Sequence, residues 1–304
     1  MIDYMDEDVA YLLGMLVARG ELAQGEGIFR MIIHFPKGDL IAQGENTQFD
    51  TDKEIQLGIA KVRERLLELL GGDIRTVEAG ESSWDLIVKI TRNTIAWRNI
   101  AALLQQKTSF PHFEVPDVLF AAETPAEYKR EFIRGYADVA GNIRPANRDQ
   151  AGRHRVRLDT LNHPTNWKVP VQLCLLLQEH LNIPVPHLTW GHPNMGRKWR
   201  EHQLNVYAEE FAPAGFCFDY KQAALEELAD KNNKRTDSGV KGCPGARRSG
   251  PRKPKDPEEA NAERLDPALV GKHFDAYWQI CRALGCPRRP APGEQLEMIP
   301  EDEQ

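Results

Sequence analysis

Two stretches decide the fold: YLLGMLVARGEL at residues 11–22 and FIRGYADVAGNI at residues 132–143. They align without a gap. Each places a glycine in its middle, Gly14 and Gly135, and a second one six residues on, Gly20 and Gly141. Inside a helix a glycine costs about 1 kcal/mol against alanine, and it is tolerated where another backbone must come close. The two segments are therefore expected to be helices, over 8–19 and 126–140, that pack on each other with Gly14, Gly20, Gly135 and Gly141 at their interface.

The same order of elements recurs around each helix. After the first, GIFRMIIHF (27–35) has the β-branched and aromatic character of a strand. Residues 51–72 then place Ile55, Ile59, Val62, Leu66, Leu67 and Leu70 at helical spacing, behind a Thr-x-x-Glu capping box and ahead of a Gly-Gly stop. Strands over 74–78 and 84–92 and a helix over 94–106 complete the block. After the second glycine helix come strands over 142–148 and 153–161, a helix over 169–181, strands over 185–190 and 200–210, and a helix over 221–231. The expected fold class is α+β, two αββαββα repeats of about 110 residues each with antiparallel sheets, far longer than solenoid units. The expected units are 1–115, 116–232 and a C-terminal extension, 233–304, made of a basic linker, a short helix over 266–284 and an acidic tail. A Pro-punctuated connector, 108–126, is expected to lie along the surface.

Composition narrows the function. Of the 304 residues 41% are hydrophobic and 28% charged, which is a soluble globular balance. No apolar run approaches the roughly 18 residues of a membrane span, so no membrane partner is expected. The start, MIDYMDEDV, is acidic, unlike a secretory or transit segment. Five scattered cysteines do not read as a disulfide framework. Both point to an intracellular protein, cytoplasmic or nucleoid-associated. A net charge of -6 counts, on average, against a nucleic-acid partner. The average hides strong patches, since residues 234–255 alone hold eight Lys or Arg against one acid. There is no Gly-rich phosphate loop, GxSxG or HExxH.

On the two glycine segments, read with their surroundings DVAYLLGMLVARGEL and ETPAEYKREFIRGYADVAGNI, the chain resembles the LAGLIDADG homing endonucleases in their single-chain, two-motif form. The resemblance spans about residues 5–232. It implies motif helices side by side at a pseudo-twofold axis, and sheets that form the arms of a saddle seated in the DNA major groove. It also implies an acid just before each terminal glycine, holding a divalent cation at a scissile phosphate. This chain departs from the pattern there: Arg19 precedes Gly20 and Ala140 precedes Gly141. Neither is the hard oxygen ligand that Mg²⁺ needs. The resemblance then implies a sequence-preferring, double-stranded DNA-binding protein with cleavage lost or reduced and no required cofactor. The alternative is an active Mg²⁺-dependent endonuclease using displaced acids, Glu21 and Asp138. A third reading is a saddle that binds protein or structured RNA.

DNA contacts are expected on polar strands. In the second repeat these are Arg144, Arg148, Arg153, Arg155 and Arg157, with strand alternation placing Arg153, Arg155 and Arg157 on one face. Arg197, Lys198 and Arg200 form a second cluster. A charged sheet edge facing solvent is the plain alternative. The first repeat offers Arg30 and Lys37, with Lys89 on a later strand, so binding is expected to be asymmetric. Cys243, His273, Cys281 and Cys286 are suitable zinc ligands by type but lack any CxxC or HxxxH spacing. The extension that carries them is also a candidate contact for a partner protein.

Overall fold

A helix that is apolar on every side belongs in the middle of a protein, and the first glycine segment is such a helix. In a computed structural model that describes residues 4–25, 28–44, 51–71, 73–79, 83–91, 94–145, 153–161, 168–193, 200–234 and 273–274, α1 (Glu7–Arg19) is buried without interruption from Val9 onward. Asp6 caps its start by accepting from the Val9 N–H at 2.8 Å. Against it lies α4 (Ala126–Ala140). The glycines make the contact: a Cβ on Gly14 would stand 2.0 Å from the Phe132 carbonyl oxygen, and one on Gly135 would stand 2.1 Å from that of Tyr11. Backbone meets backbone, reciprocally. Gly20 and Gly141 serve a different end from the expected interface. Each lets the chain leave its helix directly into a strand, where a Cβ would strike the preceding turn at Leu16 or Ala137.

The first repeat continues with β1 (Gly20–Gly25), β2 (Ile28–Pro36), α2 (Thr51–Leu70), β3 (Asp73–Glu78), β4 (Ser83–Thr91) and α3 (Ile95–Leu103). The strands form an antiparallel sheet in the order β1-β2-β4-β3. Its inner face, Met31, Ile33, Phe35, Leu86, Val88 and Ile90, joins α2's Ile55, Ile59, Val62 and Leu66 in the core. The second repeat has β5 (Gly141–Arg144), β6 (Arg155–Leu161), α5 (Lys168–Leu175), β7 (His187–Pro193), β8 (Arg200–Tyr207), α6 (Ala208–Phe211) and α7 (Asp219–Lys234). Its sheet runs β5-β6-β8-β7-β9, the last strand being His273–Phe274. The repeats share their register, since Gly20 pairs with Ile33 and Gly141 with Leu158. The α+β duplication expected from the sequence is the architecture of the chain.

Several local readings change. The helix expected over 169–181 is α-helical only to Leu175 and passes into a π-helical turn, Leu176–His180. Residues 273–274, expected inside a helix, are a strand on β7. The connector is not a surface linker: Phe113, Val115 and Leu119 are fully buried, and its start covers the free edge of β1. There the Leu22 N–H donates to the Thr108 carbonyl at 2.7 Å, and the Phe110 N–H donates to that of Gly20 at 2.8 Å. The edge of β5 is covered by the first repeat, with the Ile143 N–H donating to Ile41 and the Gln43 N–H to Ile143. Neither inner edge is left to pair with a stranger. Lys61 on α2 adds a 2.6 Å contact to Asp219 on α7, and Tyr220 donates its hydroxyl to the Leu40 carbonyl at 2.7 Å.

Because overpacked sites cost about 1–3 kcal/mol or more when the backbone cannot move away, Gly14→Ala and Gly135→Ala should each lower the unfolding free energy read from urea titration by at least about 1 kcal/mol. Gly25→Ala, where a Cβ meets nothing within 4 Å, is the control. Equal effects at all three positions would contradict the close approach.

Candidate nucleic-acid interface

The C-terminal ends of α1 and α4 are where the resemblance places metal-binding acids. In this chain both ends are held by cations. Arg19 is buried, donates to the Ala18 carbonyl at 2.8 Å and lies 3.4 Å from the buried carboxylate of Asp39. Ala140, at the other end, is fully buried. Beside it Lys221, from the first turn of α7, is fully buried and uses all three ammonium donors on carbonyls: Ala137 at 3.1 Å, Asp138 at 2.7 Å and Gly141 at 2.7 Å. A cation at a helix C-terminus meets the negative end of the helix dipole. Burial pushes the Lys221 ammonium down to about 8, opposed by the charges of Asp138 and Asp39.

Asp138 is turned inward rather than toward a ligand. It is fully buried, accepts the Tyr11 hydroxyl of α1 at 2.7 Å, and accepts the Cys217 and Phe218 N–H groups at 3.1 and 3.4 Å. It ties the two central helices to the loop before α7. Burial raises its carboxyl to about 6, against the pull of Lys221 and of its hydrogen bonds. Glu21, by contrast, is half-exposed on β1. It stands 3.5 Å from His34 on β2, which in turn lies 2.9 Å from Asp85 on β4.

The face of each sheet that points away from the core carries the remaining candidates. On the first, Arg30 is exposed and sits between Ala23 and Lys89. Lys89 lies 3.9 Å from Asp73, which also pairs with Arg75 at 2.9 Å. Lys37 lies over the Trp84 ring and 3.9 Å from Asp52. On the second, Arg155 occupies the register position of Arg30, flanked by Arg144 and Tyr207. Burial, helped by the neighbouring Arg157, lowers its guanidinium pKa. Neither Arg30 nor Arg155 has a carboxylate partner among the described residues. Arg157 is paired with the buried Asp159 at 3.0 Å. Arg153 precedes the strand and is held by Glu209 and by stacking 3.6 Å over Tyr207. The row of three arginines expected on one face is thus reduced to Arg155 and an ion-paired Arg157.

Arg200 begins β8. Arg148, Arg197, Lys198, Cys243, Cys281 and Cys286 lie outside the described residues, and His273 is in β9. Sequence reasoning missed Lys221 and Asp39. The signal for Lys221 was present: it shares a helical stripe with Leu225, Leu228 and Asn232, where a lysine must find acceptors.

No family model matches the chain, and no curated protein matches it. Solved structures do. The chain is similar to I-DmoI in complex with DNA and Ca, at 15% identity and a TM-score of 0.43 over 72% of this chain and 97% of that one. It is similar to the N-terminal LAGLIDADG domain of WhiA, at 11% identity and a TM-score of 0.38 over 73% and 82%. It is also similar to the LAGLIDADG meganuclease I-AabMI bound to uncleaved DNA, at 10% identity and a TM-score of 0.38 over 76% and 95%.

Two expectations follow from the helix ends. Asp138 binds its proton more tightly folded than unfolded, so its contribution to stability is complete below about pH 4 and is lost as pH rises through about 6. The Asp138→Asn chain should therefore gain stability relative to the native chain between pH 4 and pH 7 in urea titrations, and a constant difference would contradict this. Lys221→Met leaves three buried carbonyls without their donor, and should cost about 3 kcal/mol at pH 7. A loss below about 1 kcal/mol would show that the ammonium does not hold the helix end.

Proposed function

We propose that this chain is a double-stranded DNA-binding protein of LAGLIDADG type that prefers certain sequences and has lost phosphodiester hydrolysis. The observation that carries the reading is the register equivalence of Arg30 and Arg155. The two guanidiniums stand at matching positions on the outer faces of the two sheets, each without a carboxylate partner among the described residues. A duplicated surface with unpaired arginines at equivalent positions suits a duplex, whose phosphates supply affinity and whose base edges supply sequence preference. Loss of hydrolysis is supported by Arg19 and Ala140 at the helix ends and by the occupation of Asp138 by Tyr11 and two backbone N–H groups. A Mg²⁺-dependent reading has only Glu21 left of its two displaced acids with solvent access.

Fluorescence anisotropy with a labelled random duplex tests this. Affinity should fall steeply with salt, and Arg30→Ala with Arg155→Ala should reduce the slope of log K against log salt by about 2. Supercoiled plasmid incubated with Mg²⁺ or Mn²⁺ should stay intact. Salt-independent binding would sink the DNA reading, and nicking abolished by Glu21→Gln would restore the nuclease.

A further inference from the structure

On the outer face of the first sheet, two isoleucines stand where a water-facing strand should be polar. Ile32 on β2 and Ile87 on β4 are cross-strand partners. Their chain neighbours Met31, Ile33, Leu86 and Val88 are fully buried on the inner face, so alternation turns both isoleucines outward. Both are partly exposed there, and neither belongs to the described hydrophobic core or packs against it. Cations flank the pair. Arg30 and Lys89 are register partners in the next row of the same face, and Arg75 on β3 is the register partner of Ile87. The nearby acids Glu21 and Asp85 both lie against His34.

The duplication shows that the fold does not ask for isoleucine at these positions. Their register equivalents on the second sheet are Arg157 and Asn205, again cross-strand partners. Both of those side chains hydrogen-bond, so the apolar pair is particular to the first repeat. Of the base edges that a duplex displays, the minor groove shows acceptors and the guanine amino donor, whereas the major groove also shows one alkyl group, the C5 methyl of thymine. An isoleucine can neither give nor take a hydrogen bond from a base or a phosphate. What it can do is withdraw that methyl from water.

We propose that Ile32 and Ile87 are specificity-determining residues that read thymine through its C5 methyl, in a half-site unlike the one that the second sheet meets. The inference rests on the duplex-DNA reading above and adds to it the base that one half of the target must contain. Arg30 and Lys89 beside the pair supply charge for phosphates, which positions a duplex without choosing its sequence. The isoleucines supply the choice of thymine over cytosine, which lacks the methyl. Because the equivalent pair on the second sheet is polar, the methyl is needed in one half alone, and the target is not a palindrome.

Replacing thymidine by deoxyuridine removes the methyl and keeps every hydrogen-bonding group of the base. The test takes a duplex selected by the full chain from a random pool, replaces its thymidines one at a time, and titrates each version by fluorescence anisotropy. For the native chain Kd should rise about fourfold per contacted methyl, at thymines confined to one half of the duplex. Ile32→Ala combined with Ile87→Ala should bind the thymine and uracil versions alike. Ile32→Val and Ile87→Val, which keep the β-branched packing, should each show a smaller ratio, and Leu57→Ala, exposed on α2, should keep the native one. Circular dichroism confirms that each variant is folded. Salt-dependent binding that ignores every replacement, sensitivity in both halves, or discrimination that survives in the double alanine variant overturns this inference and leaves the DNA reading standing. Absence of salt-dependent binding to any duplex overturns both.

Discussion

The contact on which the rest of the structure depends is the crossing of α1 and α4 at Gly14 and Gly135. Two helices pack at the usual 8–10 Å when side chains separate them. Here a carbonyl of one helix occupies the space of a missing Cβ on the other, in both directions. The exit points of the two helices are thereby fixed relative to each other. Because a strand leaves each helix directly at Gly20 or Gly141, the two sheets inherit that relation, and Arg30 and Arg155 come to equivalent places.

So close a crossing concentrates buried polar groups near the helix ends. The chain satisfies them internally. Arg19 meets Asp39, Lys221 meets three carbonyls, and Asp138 joins Tyr11 to the loop before α7. A buried charge stripped of its partner is costly, whereas a fully satisfied one holds its surroundings in a single arrangement. Of these groups Arg19 itself stands where the resemblance expects a metal-holding acid, and Lys221 caps the helix whose last residue, Ala140, occupies the other such position.

Much of this was legible in the sequence. The gapless glycine match predicted the paired helices, and periodicity located nearly every element of both repeats, because amphipathic spacing reports which face must be buried. Other features were not legible, for physical reasons. The connector reads as a linker from its prolines, yet Phe113, Val115 and Leu119 are core residues, since tertiary packing overrides local turn chemistry. Alternation grouped Arg153, Arg155 and Arg157, but only a structure shows that Glu209 and Asp159 neutralise two of them. Glu21, His34 and Asp85 are far apart in the chain and are gathered only by the pairing register of three strands.

The central claim is that a duplicated, internally cation-capped fold recognises duplex DNA without cutting it. The most direct measurement is selection of bound fragments from a random duplex pool, followed by incubation of the selected fragments with the protein and Mg²⁺. The account predicts enrichment of a defined sequence whose fragments stay full length. A pool that is unchanged after repeated rounds, or selected fragments that are cut, would contradict it.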